Sequence, residues 1–204
     1  MNGCGYFGKH EAVPVADVNE PKMLKRDLSS YATEGWQPGR TFVIRTIWYF
    51  ISLLFFEHGW LPVTAPKVWL LRLFGSKIGC GVVLRPNVRI KFPWRLAVGD
   101  HSWIGRDVWI ENLADVIIGA DVCVSQGAYF CTGSHNCRSN SFDLRIRPIV
   151  VEHGAWIAAR SVVLGGVTVG NHSVVAACSM LNQDLPALHI AMGVPASYKP
   201  IGHL

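Results

Sequence analysis

The chain has little charge and no cluster of basic residues. Of its 204 residues, 16% are charged and 50% are hydrophobic. This balance excludes a disordered chain, because disorder requires few apolar and many charged residues. The formal net charge is +5, but the sequence contains no run of five lysines or arginines and no zinc-finger or RNA-binding motif. The net positive charge therefore does not predict a nucleic-acid partner.

Paired cysteines and a targeting segment are also missing from the sequence. The six cysteines have no CxxC spacing, which favours free thiols in a reducing compartment over a disulfide framework. The N-terminus lacks the basic-then-apolar layout of a secretion signal. Together these absences predict a cytoplasmic protein.

Long apolar runs are absent too, since the uncharged stretch 46–56 would span only about 16 Å as a helix, half of the hydrocarbon thickness of a bilayer. It belongs to an aromatic and aliphatic segment, residues 23–77, which follows a polar segment, 1–22, expected to be a mobile tail. Two interpretations of 23–77 remain open. It is a helical cap on the end of a solenoid, or an element that touches the inner face of a membrane through 42–60. The two roles are compatible.

From residue 78 to residue 181 an apolar side chain recurs at almost every sixth position. A period of six fits neither an α-helix nor a hairpin meander. It is typical of a solenoid whose every turn has three short flat sides, each with one side chain pointing to the axis. The apolar positions are Ile78, Leu84, Ile90, Val98, Ile104, Ile110, Ile118, Val124, Phe130, Val151, Ile157, Val163, Val169, Val175 and Leu181.

This repeat organises the rest of the chain. It predicts a β-helix over residues 78–184, built of 18-residue coils, the first of which carry two-residue insertions at a corner, near Ala97 and Ile117. The period fails over residues 136–150, which are therefore predicted to form a loop thrown out of the coil, where function usually concentrates. The last segment, residues 185–204, is expected to be a tail.

Several segments make the chain resemble a known family, the hexapeptide-repeat acyltransferases. They are SYATEGWQPGR, LLRLFGSKIGCGVVLRPNVRI, KFPWRLAVGDHSWIG, CTGSH and PIVVEHGAWIAARSVVLGGVTVG. The resemblance covers roughly residues 26–200 and is greatest to the sugar and polysaccharide O-acetyltransferases, those of colanic-acid biosynthesis in particular. It implies a mainly β fold, a left-handed parallel β-helix with a short helical N-terminal segment. It also implies a homotrimer that uses acetyl-CoA as the acetyl donor.

The same resemblance implies the catalytic groups. His135 of CTGSH would be the general base, because a neutral imidazole, with its usual pKa near 6.5, can accept the proton of an attacking sugar hydroxyl. The backbone N–H of Ala159 would stabilise the tetrahedral oxyanion. Trp156 would lie along the pantetheine arm, and the small Ala158 would leave room for the thioester. A surface histidine at a turn and an ordinary core tryptophan are the alternative interpretations.

The expected coenzyme site departs from the family pattern. Where these enzymes often have GAGSVVTKD, this chain has residues 176–184 as AACSMLNQD, and Ser197 stands where an arginine is frequent. The residues implied at the coenzyme, besides Trp156 and Ala158, are Ala177, Asn182, Gln183 and Lys199. Asn182 and Gln183 replace Thr-Lys, so positive charge expected near the coenzyme phosphates is missing. We expect weaker coenzyme binding from this change and no change in catalytic geometry.

The acceptor side is less defined by the sequence. Glu111 and Asn112 are expected one coil below the corner of His135, where they would contact a sugar or glycan acceptor, lipid-linked or free. Glu111 is equally compatible with a solvated corner.

Three rival functions can be weighed on the sequence. A zinc hydratase on the same fold, the γ-type carbonic anhydrase, needs a histidine pair five residues apart, which this chain lacks, so no metal site is predicted. Serine acetyltransferase has a long helical N-terminal domain that is missing here. The third rival, a catalytically inactive trimeric scaffold or membrane-docking protein, remains the alternative to an O-acetyltransferase.

Overall fold

The computed structural model describes residues 26–33 and 35–202 of the chain. The predicted tail, residues 1–22, lies outside the described residues, as do the first three residues of the segment 23–77.

Two helices precede the strands. Helix α1 (Phe42–Ser52) continues as a π-helical turn over Leu53–Glu57, and helix α2 (Thr64–Leu73) follows. Helix α1 begins where it does because the Thr41 side chain accepts a hydrogen bond from the Ile44 N–H at 3.5 Å. Two 3₁₀ turns lie at Leu28–Ser30 and Pro93–Arg95.

Short strands make up the rest of the fold. In chain order they are β1 (Lys77–Ile78), β2 (Val83–Leu84), β3 (Arg89–Ile90), β4 (Leu96–Val98), β5 (Trp103–Ile104), β6 (Trp109–Glu111), β7 (Val116–Ile118), β8 (Cys123–Val124), β9 (Tyr129–Cys131), β10 (Gly133–His135), β11 (Leu144–Ile146), β12 (Ile149–Val151), β13 (Trp156–Ile157), β14 (Val162–Leu164), β15 (Thr168–Val169), β16 (Val174–Val175), β17 (Met180–Leu181), β18 (His189–Gly193) and β19 (Ala196–Pro200).

These strands form a three-sided parallel β-helix. Sheet A has the order β1-β4-β7-β12-β15, sheet B has β2-β5-β8-β13-β16-β18, and sheet C has β3-β6-β9-β14-β17. Strand pairing places the residues of the predicted apolar row directly opposite one another in successive coils. Leu84 is opposite Ile104, for example, and Ile104 is opposite Val124. Every residue of that row is buried. The prediction of a mainly β, parallel β-helix with a short helical N-terminal segment is therefore confirmed.

The prediction of a C-terminal tail over 185–204 is wrong for most of that segment. Strand β18 continues sheet B in parallel with β16, and β19 turns back to pair with β18 in antiparallel register. The last coil is shorter than the others: Leu185 bridges to Val169 of sheet A, only four residues after Leu181. Because the six-residue step is broken here, the sequence pattern could not detect the final coil, although Ala191 is fully buried in it.

The excursion from the coil is a hairpin rather than a loop without secondary structure. Strands β10 and β11 pair in antiparallel register, with Ser134 opposite Arg145, and the chain rejoins sheet A at β12. The hairpin begins at Gly133 and ends before Ile149, so its bounds differ by a few residues from the predicted 136–150.

The helical segment covers the exposed edge of the first coil. The Trp48 indole N–H donates to the Ile90 carbonyl at 2.9 Å, and the Arg72 guanidinium donates to the Ile78 carbonyl at 2.8 Å. The Lys67 ammonium is buried and donates to the carbonyls of Leu84 at 3.0 Å and Arg85 at 3.2 Å. These side chains satisfy backbone acceptors that no further coil reaches.

Replacing Lys67 by alanine should destabilise the protein by roughly 1–3 kcal/mol, because carbonyl oxygens at the coil edge would lose their donor. Burial also lowers the pKa of the Lys67 ammonium, so part of the gain from its hydrogen bonds is offset by desolvation. Urea unfolding checks this value. The matched control is Lys77→Ala, an exposed lysine of β1, which should change stability by at most about 0.5 kcal/mol. Equal effects of the two substitutions would contradict the capping role.

Candidate active site

His135 ends strand β10, the first strand of the hairpin that leaves the coil. Its Nδ1 lies 3.0 Å from the carbonyl oxygen of Phe142. Its ring stacks on the Phe142 ring, with 4.3 Å between centroids and 6° between planes. The ring of Tyr31 lies 5.8 Å away. The orientation of the imidazole is therefore fixed by one hydrogen bond and one aromatic stack.

The hydrogen bond at Nδ1 also decides the tautomer. A carbonyl oxygen only accepts hydrogen bonds, so Nδ1 of His135 must donate its N–H in this contact. The neutral ring then has an unprotonated Nε2 with a free lone pair. This is the arrangement that a general base requires, because the nitrogen that is not oriented by the protein can take a proton.

The turn of the hairpin is ordered by its own polar side chains. Ser139 Oγ donates to Asp143 Oδ2 at 2.8 Å, and the Asn136 N–H donates to the Asp143 carbonyl at 2.9 Å. Hydrogen bonds from Ser141 and Ser139 hold the pKa of the Asp143 carboxyl below its usual value. Asp143 therefore acts as an ionised anchor that keeps Phe142 next to His135.

The N-terminal segment also supports the hairpin, which the sequence reasoning did not foresee. The Asp27 N–H donates to the Asn140 carbonyl at 2.8 Å, and the Leu144 N–H donates to the Ala32 carbonyl at 3.2 Å. Tyr31 is brought to His135 by these contacts. The segment SYATEGWQPGR contained this signal, since it carried part of the family resemblance without a role being assigned to it.

A cavity of about 280 Å³ opens beside His135. Its walls include residues 131–135, the two arginines Arg145 and Arg147 from the returning side of the hairpin, and Asn182 from a later coil. The structure thus brings Asn182, a predicted coenzyme residue, to the corner of His135. Both arginines lie in the excursion, where the six-residue period gave no information, and the sequence reasoning missed them.

The other predicted residues lie at a different corner. Ala158 and Ala159 form the turn between β13 of sheet B and β14 of sheet C, and Ala177 lies in the corresponding turn one coil later. Trp156 is 48% exposed on the outer face of sheet B, and its indole N–H donates to Ser125 Oγ at 2.9 Å. The Ala159 N–H has no hydrogen-bond partner among the residues that the structure describes. It is therefore free to donate to a ligand, as are the equivalent amides of neighbouring coils.

Within one chain, His135 and Ala159 do not meet. Strands β9 and β14 pair in parallel, with Tyr129 opposite Val162. Ala159 precedes β14 and His135 follows β9, so the two residues lie beyond opposite ends of sheet C. Three strand residues alone span roughly 10 Å. One chain therefore carries a candidate base at one corner and a candidate oxyanion donor at another.

The two remaining coenzyme candidates contact or belong to the C-terminal hairpin. The Gln183 side-chain amide donates to the Ala196 carbonyl at 3.2 Å, so it contacts the C-terminal hairpin. Lys199 is exposed on β19, opposite Ile190. Neither residue lines the cavity at His135.

The prediction that Asn112 contacts the acceptor is wrong. Asn112 is fully buried, and its side chain accepts from the Phe92 N–H at 2.9 Å and donates to the Phe92 carbonyl at 2.7 Å. It stabilises a corner of the coil and has no exposed atom that could contact an acceptor. Glu111 pairs with the Lys91 ammonium and accepts from the Trp109 indole at 3.1 Å. It lines a separate cavity beside α1.

No cluster of three histidine, cysteine or acidic side chains that could hold a metal ion occurs in residues 26–33 and 35–202.

Comparison with known proteins decides the family. The family description "Bacterial transferase hexapeptide (six repeats)" matches residues 148–183. Over 174 residues, 84% of this chain and 94% of the relative, the chain is 38% identical to the WcaF protein of Escherichia coli K12, named as an acetyltransferase of colanic acid biosynthesis. The chain belongs to the hexapeptide-repeat acetyltransferases. The resemblance in the sequence is thereby confirmed.

Other members of this acetyltransferase family agree in sequence and fold. The galactoside O-acetyltransferase of Escherichia coli K12 is 25% identical over 144 residues, 69% of this chain and 70% of that protein. The hexapeptide-repeat acetyltransferase VCA0836 of Vibrio cholerae, solved in complex with acetyl coenzyme A, is 28% identical. It superposes with a TM-score of 0.70 over 79% of this chain and 88% of that one.

Proposed function

We propose that this hexapeptide-repeat acetyltransferase moves an acetyl group from acetyl-CoA to a sugar hydroxyl of a polysaccharide or glycan precursor. The main support is the geometry of His135, which lines a cavity and whose Nδ1–H is bound to the Phe142 carbonyl, while Nε2 has no hydrogen-bond partner among the described residues. The relatives add support, since an acetyltransferase of colanic acid biosynthesis and a galactoside O-acetyltransferase are both similar to this chain.

In this mechanism His135 Nε2 takes the proton of the acceptor hydroxyl as the hydroxyl oxygen bonds to the acetyl carbonyl carbon. Acetyl-CoA supplies that carbon as a thioester. The Ala159 N–H donates to the oxygen that becomes negatively charged. When the carbon–sulfur bond breaks, the His135 imidazolium returns the proton to the leaving sulfur, so the base is restored. No group of the protein is acetylated.

The coenzyme would lie at the corner between sheets B and C. Ala158, Ala159 and Ala177 have small side chains there that leave room for it, and the Trp156 indole is exposed on the neighbouring face of sheet B. Gln183 and Lys199 would contact the outer part of the coenzyme, and Asn182, which lines the cavity at His135, would contact it near the thioester.

Because His135 and Ala159 lie beyond opposite ends of sheet C, a complete site requires two chains. A homotrimer with threefold symmetry places the same two corners next to each other at each of its interfaces. We propose that each active site is formed by the His135 corner of one chain and the Ala159 corner of its neighbour.

The function can be tested with purified protein, labelled acetyl-CoA and a panel of sugars and oligosaccharides. We expect O-acetylated product from at least one acceptor, identified by mass spectrometry. A folded protein that binds acetyl-CoA and acetylates none of the acceptors would favour the alternative, an inactive scaffold.

We further propose that helix α1 and the turn after it rest on the inner face of a membrane, where a lipid-linked acceptor would be found. Val43, Ile47, Phe50 and Leu54 recur at helical spacing along one side and are each at least 47% exposed. The exposed Arg40 precedes the helix. Among the described residues no helix is both long and apolar enough to cross a bilayer, so this contact would be at the surface.

The double substitution Val43→Ser and Phe50→Ser should weaken binding to anionic vesicles by at least about tenfold, because two apolar side chains that would insert into the lipid are lost. Vesicle flotation measures this. The control is Leu188→Ser, another exposed apolar residue, in the last coil, which should leave binding unchanged. If the wild-type chain ignores anionic vesicles, the helices serve only as a cap.

A further inference from the structure

The cavity at His135 has an unusual charge. Two arginines, Arg145 and Arg147, line it together with the catalytic histidine, and no aspartate or glutamate does. Within the described part of the chain three ion pairs occur, and none includes either arginine. The carboxylate of Asp143 accepts a hydrogen bond from Ser139 and forms no ion pair with either arginine. The cavity therefore carries two positive charges that no carboxylate of the described residues pairs with.

The backbone pairing of the hairpin fixes the positions of both arginines. Arg145 is directly opposite Ser134, the residue before His135, in the antiparallel pair. The Arg147 N–H donates to the Thr132 carbonyl at 3.0 Å. Its aliphatic stem lies over Gly166, where an added Cβ would come within 2.8 Å of Arg147 Cδ. The absence of a side chain at Gly166 thus leaves space for the Arg147 stem.

The position of these charges selects what they can bind. The nucleophilic hydroxyl must approach Nε2 of His135, so the same cavity contains the acceptor and the thioester end of the donor. The phosphates of coenzyme A are separated from its thioester by the whole pantetheine arm, so they are not expected in this cavity. A negative charge beside His135 would belong to the acceptor.

We infer that the acceptor of this enzyme is an anionic sugar, whose carboxylate or phosphate is bound by Arg145 and Arg147 next to the hydroxyl that is acetylated. Guanidinium groups bind carboxylates and phosphates through paired, charge-assisted hydrogen bonds. Such contacts would orient the acceptor for attack as well as select it. The inference rests on the proposed function, since it takes His135 as the base.

Three probes separate the two sources of charge. Methyl glucuronide carries a carboxylate, methyl glucoside 6-phosphate carries a phosphate, and methyl glucoside is the neutral reference. We expect the wild-type enzyme to bind at least one anionic probe about tenfold or more tightly than methyl glucoside. Isothermal titration measures this binding in the presence of coenzyme A, and it does not depend on turnover.

The variants are Arg145→Gln and Arg147→Gln, alone and together. Each single change should remove part of this preference, weakening binding of the preferred anionic probe by at least about threefold and raising the acceptor KM similarly, with little change in the acetyl-CoA KM. The double variant should no longer distinguish the anionic probes from methyl glucoside. The matched control is Arg138→Gln, an exposed arginine of the same hairpin that does not line the cavity, and it should behave as wild type.

Two results would overturn the inference, and a third would overturn only the proposed function. Equal wild-type binding of all three probes would show that the arginines select nothing, even if acetyl transfer occurs. A rise in the acetyl-CoA KM with an unchanged acceptor KM would show that they bind the coenzyme phosphates. If an anionic probe binds through the arginines but no acceptor is ever acetylated, the proposed function fails while the anion site stands.

Discussion

The substitution His135→Ala should lower kcat by roughly 10²–10⁴-fold, because general-base catalysis contributes that much to hydroxyl attack. Acetyl-CoA binding should change little, since the coenzyme is proposed to lie against Trp156 and the alanines of the other corner. Steady-state kinetics with a fixed acceptor measures kcat, and isothermal titration measures coenzyme binding. A selective loss of kcat would identify a group that acts in the chemical step.

The matched control for this experiment is His172→Ala. His172 is an exposed histidine between β15 of sheet A and β16 of sheet B, at the corner that carries neither candidate group, and its removal should leave turnover unchanged. The circular dichroism spectrum and melting temperature of both variants should match the wild type. A folded His135→Ala protein with near-normal turnover would contradict the mechanism.

The β-helix could be predicted from the sequence because its core repeats. Every sixth side chain, such as Ile104 or Val163, must be apolar if it points to the axis, and this rule leaves a periodic record in the chain. The six-residue period ends where the coils stop repeating in length. The short last coil, with Leu185 only four residues after Leu181, was for that reason predicted as a tail.

The candidate site could be predicted only in part. His135 was found through CTGSH, but its partners Phe142 and Tyr31 come from the hairpin and the N-terminal segment, where no period constrains the residues. Asn112 was misjudged because a buried asparagine that closes a corner looks like a polar surface residue in a sequence. The six-residue period does not predict which polar side chains are buried at the corners between strands.

The separation of His135 and Ala159 was contained in the same apolar row. His135 follows the sheet C residue Phe130, and Ala159 follows the sheet B residue Ile157, so the two belong to different corners. That separation is the basis of the two-chain site, and it leads to the second large expected effect.

Trimers that combine His135→Ala chains with Ala159→Pro chains should regain activity that both parent variants lack. Proline removes the Ala159 N–H, and neither parent trimer contains an intact site. In any mixed trimer, one site joins the His135 corner of an Ala159→Pro chain to the Ala159 corner of a His135→Ala chain, and that site is wild type. By threefold symmetry this gives about one third of wild-type turnover.

Ala159→Leu, whose larger side chain would obstruct the proposed coenzyme position, serves as the second variant if the proline chain does not fold. Co-expression with two different affinity tags and successive purification isolates the mixed trimers. Size-exclusion chromatography with light scattering establishes that the wild type and the mixture are trimers.

The turnover of these mixed trimers is the most direct test of a site completed by two neighbouring chains. We expect about one third of the wild-type rate per trimer, far above either parent. A mixture as inactive as its parents, from chains that fold and assemble as trimers, would contradict it, because both groups would then have to act within one chain.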